Sequence, residues 1–345
     1  MTTVLGAAAP GVAPQWAPAE GLVATARAMV AAGKGILAID ETPKTISKRL
    51  AAVGIEPSEE QRRAYRALLV DAPGLEQATS GVILQEETVH QRLADGRSVP
   101  EALAARGVLP GVKVDRGTAP LALAPGELVT EGLDGLAGRL EEFAATGVRF
   151  AKWRAVLRVG PTWPSGRAVA ANAHALARYA ATCQEVGLVP IVEPEVLMDG
   201  DHDLVVASRV SQMVLDTVFD ELQDAGVAME AIVLKPAMVV PGRDGPPASV
   251  EEVADATVAC LRRCVPAAVP GVAFLSGGQS PRRASEHLAA IVRRGPHPWA
   301  ITFSFGRALQ DEALAAWAGR PEQVAAGQEA LLAALQRNQQ ALLPT

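Results

Sequence analysis

The chain has 345 residues and a formal net charge of −6, and it is 49% hydrophobic and 20% charged. That is a globular composition, long enough for one large core or two smaller ones, and its acidic balance offers no bulk attraction to nucleic acid or an anionic membrane. No apolar run reaches the ~18 residues a membrane-spanning helix needs, and no basic residue precedes Arg27, so the start lacks the charged region of a signal peptide.

Residues 1–20 read as a loose arm. Eight short apolar runs follow, often β-branched and flanked by Gly or Pro: "GILAIDE" (35–41), "GVILQE" (81–86), "GVKVD" (111–115), "VRFAKWR" (148–154), "VPIVEPE" (189–195), "AIVLKP" (231–236), "VAFLSGG" (272–278) and "AITFSFG" (300–306). Near-continuous apolar runs suit strands buried on both faces, as in a parallel sheet. The spacing between them leaves room for a helix each time. Helix starts are visible as "SEEQ" (58–61), "SVPE" (98–101) and "SVEE" (249–252), and as Pro281 opening "SPRRASEHLAAIVRRG" with Gly295 past its end. The tail from residue 308 reads as two further helices. Strand and helix alternating eight times predict an α/β fold, a (β/α)8 barrel with extra C-terminal helices. No Ser- or Gly-rich linker cuts the chain, so residues 21–345 are expected to form one domain.

Cys183, Cys260 and Cys264 all fall in helix-like segments and read as buried free thiols, a pattern that suits a reducing cytoplasm. Only six of the 32 basic residues are lysines, namely Lys34, Lys44, Lys48, Lys113, Lys152 and Lys235. Where arginine supplies the generic positive charge, a retained lysine is a candidate for something arginine cannot do, such as shedding a proton to become a nucleophile. Lys113, Lys152 and Lys235 all lie inside strand-like runs.

In such barrels the active site lies at the C-terminal ends of the strands. Those ends carry Asp40, Glu41, Gln85, Glu86, Lys113, Asp115, Lys152, Arg154, Glu193, Glu195, Lys235, Ser276 and Ser304. A neutral amine attacks a ketone and forms a Schiff base, an electron sink for C–C cleavage. Burial and a second cation both depress a lysine pKa, so Lys152 on the fourth strand is positioned to activate Lys235 on the sixth. Glu193 and Asp40 are the carboxylates available to move protons. After strands seven and eight, "LSGGQS" (275–280) and "SFGRAL" (304–309) occupy the usual phosphate-binding place of this fold, with Arg307 as a clamp. A second cationic group, "TPKTISKRL" (42–50), brings Thr42, Thr45, Lys48 and Arg49 to the end of strand one. "DGDHDL" (199–204) has the look of a metal cluster but reads as a helix cap with first-turn charges. The five histidines have no ligand spacing.

These residues resemble the class I fructose-bisphosphate aldolases. The likeness runs from about residue 20 to about 335 and is carried by "GKGILAIDE", "GVKVDRG", "LDGL", "FAKWR", "ARYA", "VPIVEPE", "DGDHDL", "LKPAM", "FLSGGQS" and "FSFGRALQ". The resemblance implies Lys235 as the Schiff-base lysine and Glu193 as general acid/base. It also implies that Asp40, Lys152 and Arg154 line the reacting centre and that Lys113 helps hold the sugar's distal phosphate. Arg49, Ser276, Gly277, Gly278, Ser304, Gly306 and Arg307 match phosphate and substrate contacts. The implied reaction is reversible cleavage of fructose 1,6-bisphosphate to dihydroxyacetone phosphate and glyceraldehyde 3-phosphate. No metal or other cofactor is implied, and the family is commonly tetrameric. The chain departs from the family at "DETPKTI", where serines are usual, at "LQEET", and at its last residues, "ALLPT". Many members carry there a tail ending in a tyrosine that reaches the site. Two other readings of the same residues are a phosphosugar isomerase using Glu193 as base, and a catalytically silent barrel serving as a binding protein.

Overall fold

A computed structural model describes residues 20–343. The expected arm therefore lies outside the described residues except for Glu20, which opens a helix, Glu20–Met29. Eight parallel strands close into a barrel: β1 (Gly35–Ile39), β2 (Thr79–Leu84), β3 (Leu109–Lys113), β4 (Phe150–Leu157), β5 (Val189–Val196), β6 (Val233–Leu234), β7 (Gly271–Phe274) and β8 (Ala300–Phe305). Each strand pairs with its sequence neighbours, and β1 pairs with β8 to complete the ring. All eight apolar runs are strands of this barrel. The two C-terminal helices are Arg307–Trp317 and Val324–Ala341.

Alternation along each strand sorts side chains between two cores. Ile36 and Ala38 of β1 point into the barrel with Ile83, Phe150, Val189, Ile191, Val233 and Ala273. Leu37 and Ile39 point outward into the larger core between barrel and helices, as a period of two requires. The Glu20–Met29 helix caps the lower end of the barrel, adding Leu22, Ala26 and Met29 to the inner core. Glycine makes room for the largest plug: a Cβ on Gly111 would overlap the Phe150 ring, and one on Gly81 would press on it.

The helix starts follow the local chemistry. Ser98 and Ser249 head full capping boxes with Glu101 and Glu252. Ser58 caps through Gln61 N–H alone. Asp203 of "DGDHDL" accepts the Val206 N–H at 2.8 Å and opens Leu204–Asp224, the cap that the sequence predicts. Cys183, Cys260 and Cys264 are buried free thiols. One element is unexpected. Thr118–Pro120 and Leu128–Thr130 form an antiparallel hairpin after β3.

Candidate active site

The strand ends open on a cavity of about 400 Å³. Three groups at its floor are almost wholly buried: Lys152 is 4% exposed, Glu193 4% and Lys235 3%. Their positions follow from the strands. Lys152 and Arg154 are two apart on β4, as are Glu193 and Glu195 on β5, so all four face the interior. Parallel register sets Lys113 beside Lys152, and Arg154 beside Glu193. β6 stops at Leu234, yet the Lys235 N–H still donates to Val192 O at 2.8 Å. Pro236 then has no donor to continue the ladder. The Pro236 carbonyl still accepts the Leu275 N–H at 3.1 Å, so backbone bonds on both sides hold the chain at Lys235.

The charges are interlocked. Lys152 Nζ lies 3.0 Å from Asp40 Oδ2 and 2.9 Å from Glu193 Oε2, while Lys235 Nζ lies 3.5 Å from the same Glu193 oxygen. That oxygen is buried and accepts no aligned hydrogen bond. Burial pushes the Lys235 ammonium below the ordinary lysine value; Glu193 opposes this and the Lys152 cation reinforces it. Burial acts on Lys152 in the same direction, but Asp40 and Glu193 outweigh it and keep Lys152 firmly charged. For Asp40, burial alone would raise the carboxyl; Lys152 and then Lys235 overcome that and hold it well below the usual range. Two lysines of one site are therefore driven apart, one toward the neutral amine and one toward the fixed cation.

Around this floor the other cations are already engaged. Lys113 Nζ donates to Asp115 Oδ1 at 2.6 Å, Arg154 pairs with Glu195, and Arg49 pairs with Glu41 and Asp311. Arg307 makes no ion pair among the described residues. It opens a helix whose first turn holds no acidic residue and whose N-cap, Gly306, offers no side chain, leaving the positive helix end free for an anion. After the neighbouring strand β7, Gly277 and Gly278 stand at φ +57° and +82°, a left-handed backbone that glycine adopts without strain. With Ser276 and Ser304 they line the same cavity, as do Thr42 and Thr45. Ser304 Oγ is buried without a partner.

Of the residues singled out by sequence at the strand ends and in the phosphate loops, all line this cavity except Lys48, Gln85 and Glu86. Gln85 instead caps the short Glu86–Val89 helix by accepting the Glu87 N–H at 2.5 Å. Lys48 is exposed. It lies next to Arg49 on the Pro43–Ala52 helix, and a step of one residue turns a side chain about 100° away. Glu41, Asp115 and Glu195 also line the cavity. Their strand-end positions mark them in the sequence, but their role as partners of Arg49, Lys113 and Arg154 depends on spatial proximity. Gly117 and Thr118 enter the wall from the hairpin.

The family model described as fructose-bisphosphate aldolase class-I matches residues 21–344. The chain is 54% identical over 299 residues to a probable fructose-bisphosphate aldolase class 1 of Xylella fastidiosa, covering 86% of this chain and 90% of the relative. It is 49% identical over 326 residues to the cytosolic fructose-bisphosphate aldolase 5 of Arabidopsis thaliana, covering 94% and 91%. A solved structure of fructose-bisphosphate aldolase from Plasmodium falciparum superposes with a TM-score of 0.92 at 46% identity, over 94% of each chain.

Proposed function

The chain belongs to the class I fructose-bisphosphate aldolase family, and from that premise we propose how its residues perform the reaction of the family. The enzyme is a lyase of glycolysis that cleaves fructose 1,6-bisphosphate to dihydroxyacetone phosphate and glyceraldehyde 3-phosphate, reversibly. Lys235, as the neutral amine, attacks the C2 carbonyl and forms a carbinolamine. Glu193, whose Oε2 lies 3.5 Å from that amine, protonates the departing hydroxyl, and water leaves an iminium. A base then removes the C4 hydroxyl proton, the C3–C4 bond breaks, and its electrons flow to the iminium nitrogen. Glyceraldehyde 3-phosphate departs from the resulting enamine. Protonation at C3 and hydrolysis of the imine release dihydroxyacetone phosphate and restore Lys235.

Lys152 is the cation that keeps Lys235 reactive and, with Asp40, shapes the field around the reacting carbons; Arg154 lines the same centre. Lys113 holds the distal phosphate. Arg49, Thr42, Thr45, Ser276, Gly277, Gly278, Ser304, Gly306 and Arg307 make the remaining phosphate and substrate contacts. The observation that carries this reading is the split pair: a buried lysine held below its ordinary pKa beside a buried lysine held above it, bridged by one carboxylate oxygen. An isomerase reading uses one base and one electrophile and leaves that pair without a purpose. The residues from 21 onward act as one domain, in a cytoplasmic homotetramer. Among the described residues no helix is long and apolar enough to cross a membrane. Leu123 (90% exposed) and Val205 (65%) are apolar side chains that partner subunits would cover.

Borohydride with dihydroxyacetone phosphate is expected to inactivate the enzyme irreversibly through a secondary amine on Lys235. Reduction traps an imine and cannot trap an enediolate, so label elsewhere, or none, overturns the assignment.

A further inference from the structure

Arg66 is an arginine with no path to substrate, yet it is 1% exposed and lies behind the active-site wall. It sits on the Glu59–Val70 helix. Its Nη1 donates to Thr88 Oγ1 at 2.7 Å and its Nη2 to Glu41 O at 2.9 Å. A buried guanidinium is costly unless it is paired. The carboxylate that pairs with it is Glu41, whose Oε2 lies 3.6 Å from Nη2.

Glu41 serves two arginines. Its Oε1 takes a hydrogen bond from Arg49 and another from Gln310 Nε2 at 2.9 Å. Its Oε2 faces Arg66, is buried, and has no hydrogen-bond partner. Arg49 is also held at Nη2 by Asp311 at 2.9 Å and at Nη1 by Gln310 Oε1 at 3.1 Å. Glu41, Asp311, Arg49 and Arg66 together carry no net charge, so the positive charge of Arg49 is already spent on carboxylates. A phosphate gains from Arg49 only if Glu41 lets it go. A lone Glu41 could not do so cheaply, since it would be left as a half-buried charge without a counter-ion.

We propose that Arg66 is the permanent counter-ion of Glu41, a positioning residue that lets Arg49 pass from Glu41 to a substrate phosphate. When Arg49 swings away, Glu41 Oε1 keeps Gln310 and Oε2 closes on Arg66, so no buried charge is stranded. Thr88 and the Glu41 carbonyl hold Arg66 still while this happens. No bond is made or broken other than hydrogen bonds, and no proton moves. The exchange rests on the reading of Arg49 as a phosphate contact.

The test is steady-state kinetics with fructose 1,6-bisphosphate, together with inhibition by inorganic phosphate. Arg49→Ala comes first and examines the underlying reading. It is expected to raise KM about tenfold, the worth of one charge-assisted hydrogen bond; an unchanged KM removes Arg49 from the phosphate site. Arg66→Gln leaves Glu41 with Arg49 as its sole guanidinium and should lock the two together. KM and the phosphate inhibition constant should then rise about tenfold on the same scale while kcat holds. Adding Glu41→Gln to Arg66→Gln removes the lock and should restore both constants, which no loss of packing would do. Asp311→Asn, at an exposed position that leaves the core intact, should lower the phosphate inhibition constant by freeing one side of Arg49. With Arg49→Ala impaired as expected, the proposal falls if the double variant is no better than Arg66→Gln, or if Asp311→Asn leaves phosphate affinity unchanged.

Discussion

Lys152 touches two carboxylates and sits close enough to Lys235 to depress its pKa. An amine attacks only when neutral, and its neutral fraction grows as pH rises through its pKa. A neighbouring cation lowers that pKa, so removing the cation raises it. Lys152→Gln is therefore expected to move the acid limb of borohydride trapping at Lys235 upward by about one pH unit or more, as loss of a close charge does. Lys152→Arg keeps the cation and should keep the limb in place. It should nonetheless slow turnover ~100-fold, because a wider fork must fit between Asp40 and Glu193 and displaces the groups around the reacting carbons. A limb that stays put in Lys152→Gln would show that burial alone tunes Lys235. At this scale the sequence is informative where a residue type is scarce. Lys113, Lys152 and Lys235 stand out among six lysines, whereas Arg66 is one of 26 arginines. The pairing of Arg49 with Asp311, 262 positions along the chain, has no local signature. Tyr65 and Tyr179 illustrate the converse. Both are fully buried, with hydroxyls donated to Gln310 O and Ile191 O, and neither lines the cavity.

The barrel elements show why apolar runs were legible and the hairpin was not. A strand covered on both faces must be apolar at nearly every position, and β1, β2 and β6 are buried throughout. The hairpin strands are three residues each, partly exposed, and contain or adjoin Pro120 and Gly117, so "GTAPLALAPGELVT" carries no alternation to read. Close packing makes a sharper prediction inside the barrel. Gly111→Ala forces a methyl into the Phe150 ring and is expected to cost about 1–3 kcal/mol in denaturant unfolding, the usual range for overpacking. Phe150→Leu in the same chain should recover part of that loss; no recovery would mean that the strain lies in the backbone. The cap at Asp203 bears on metal chemistry. Because "DGDHDL" spends Asp203 on a helix start, exhaustive chelation should leave turnover unchanged. A large loss restored by zinc would redirect attention to Asp199, Asp201 and His202.

At the scale of the whole molecule, the barrel has a working end and a blind end. Lys235 and its neighbours open at the strand C-termini. Leu342 lies at the other end, in a hollow with Val30, Gly33, Pro296 and Ala300, beside the starts of β1 and β8. Trimming the chain from about Leu342 is accordingly expected to change activity little. The check is the rate of fructose 1,6-bisphosphate cleavage before and after trimming; a large loss would show a role for the last residues.

The placement of Leu342 also has a practical side. A tether fused behind it leaves from the blind end, so the enzyme could be anchored to a bead, an electrode or a scaffold with its mouth turned toward the solution. Phosphosugars would then reach the cavity without crossing the support, and the immobilised catalyst should keep the KM of the free one.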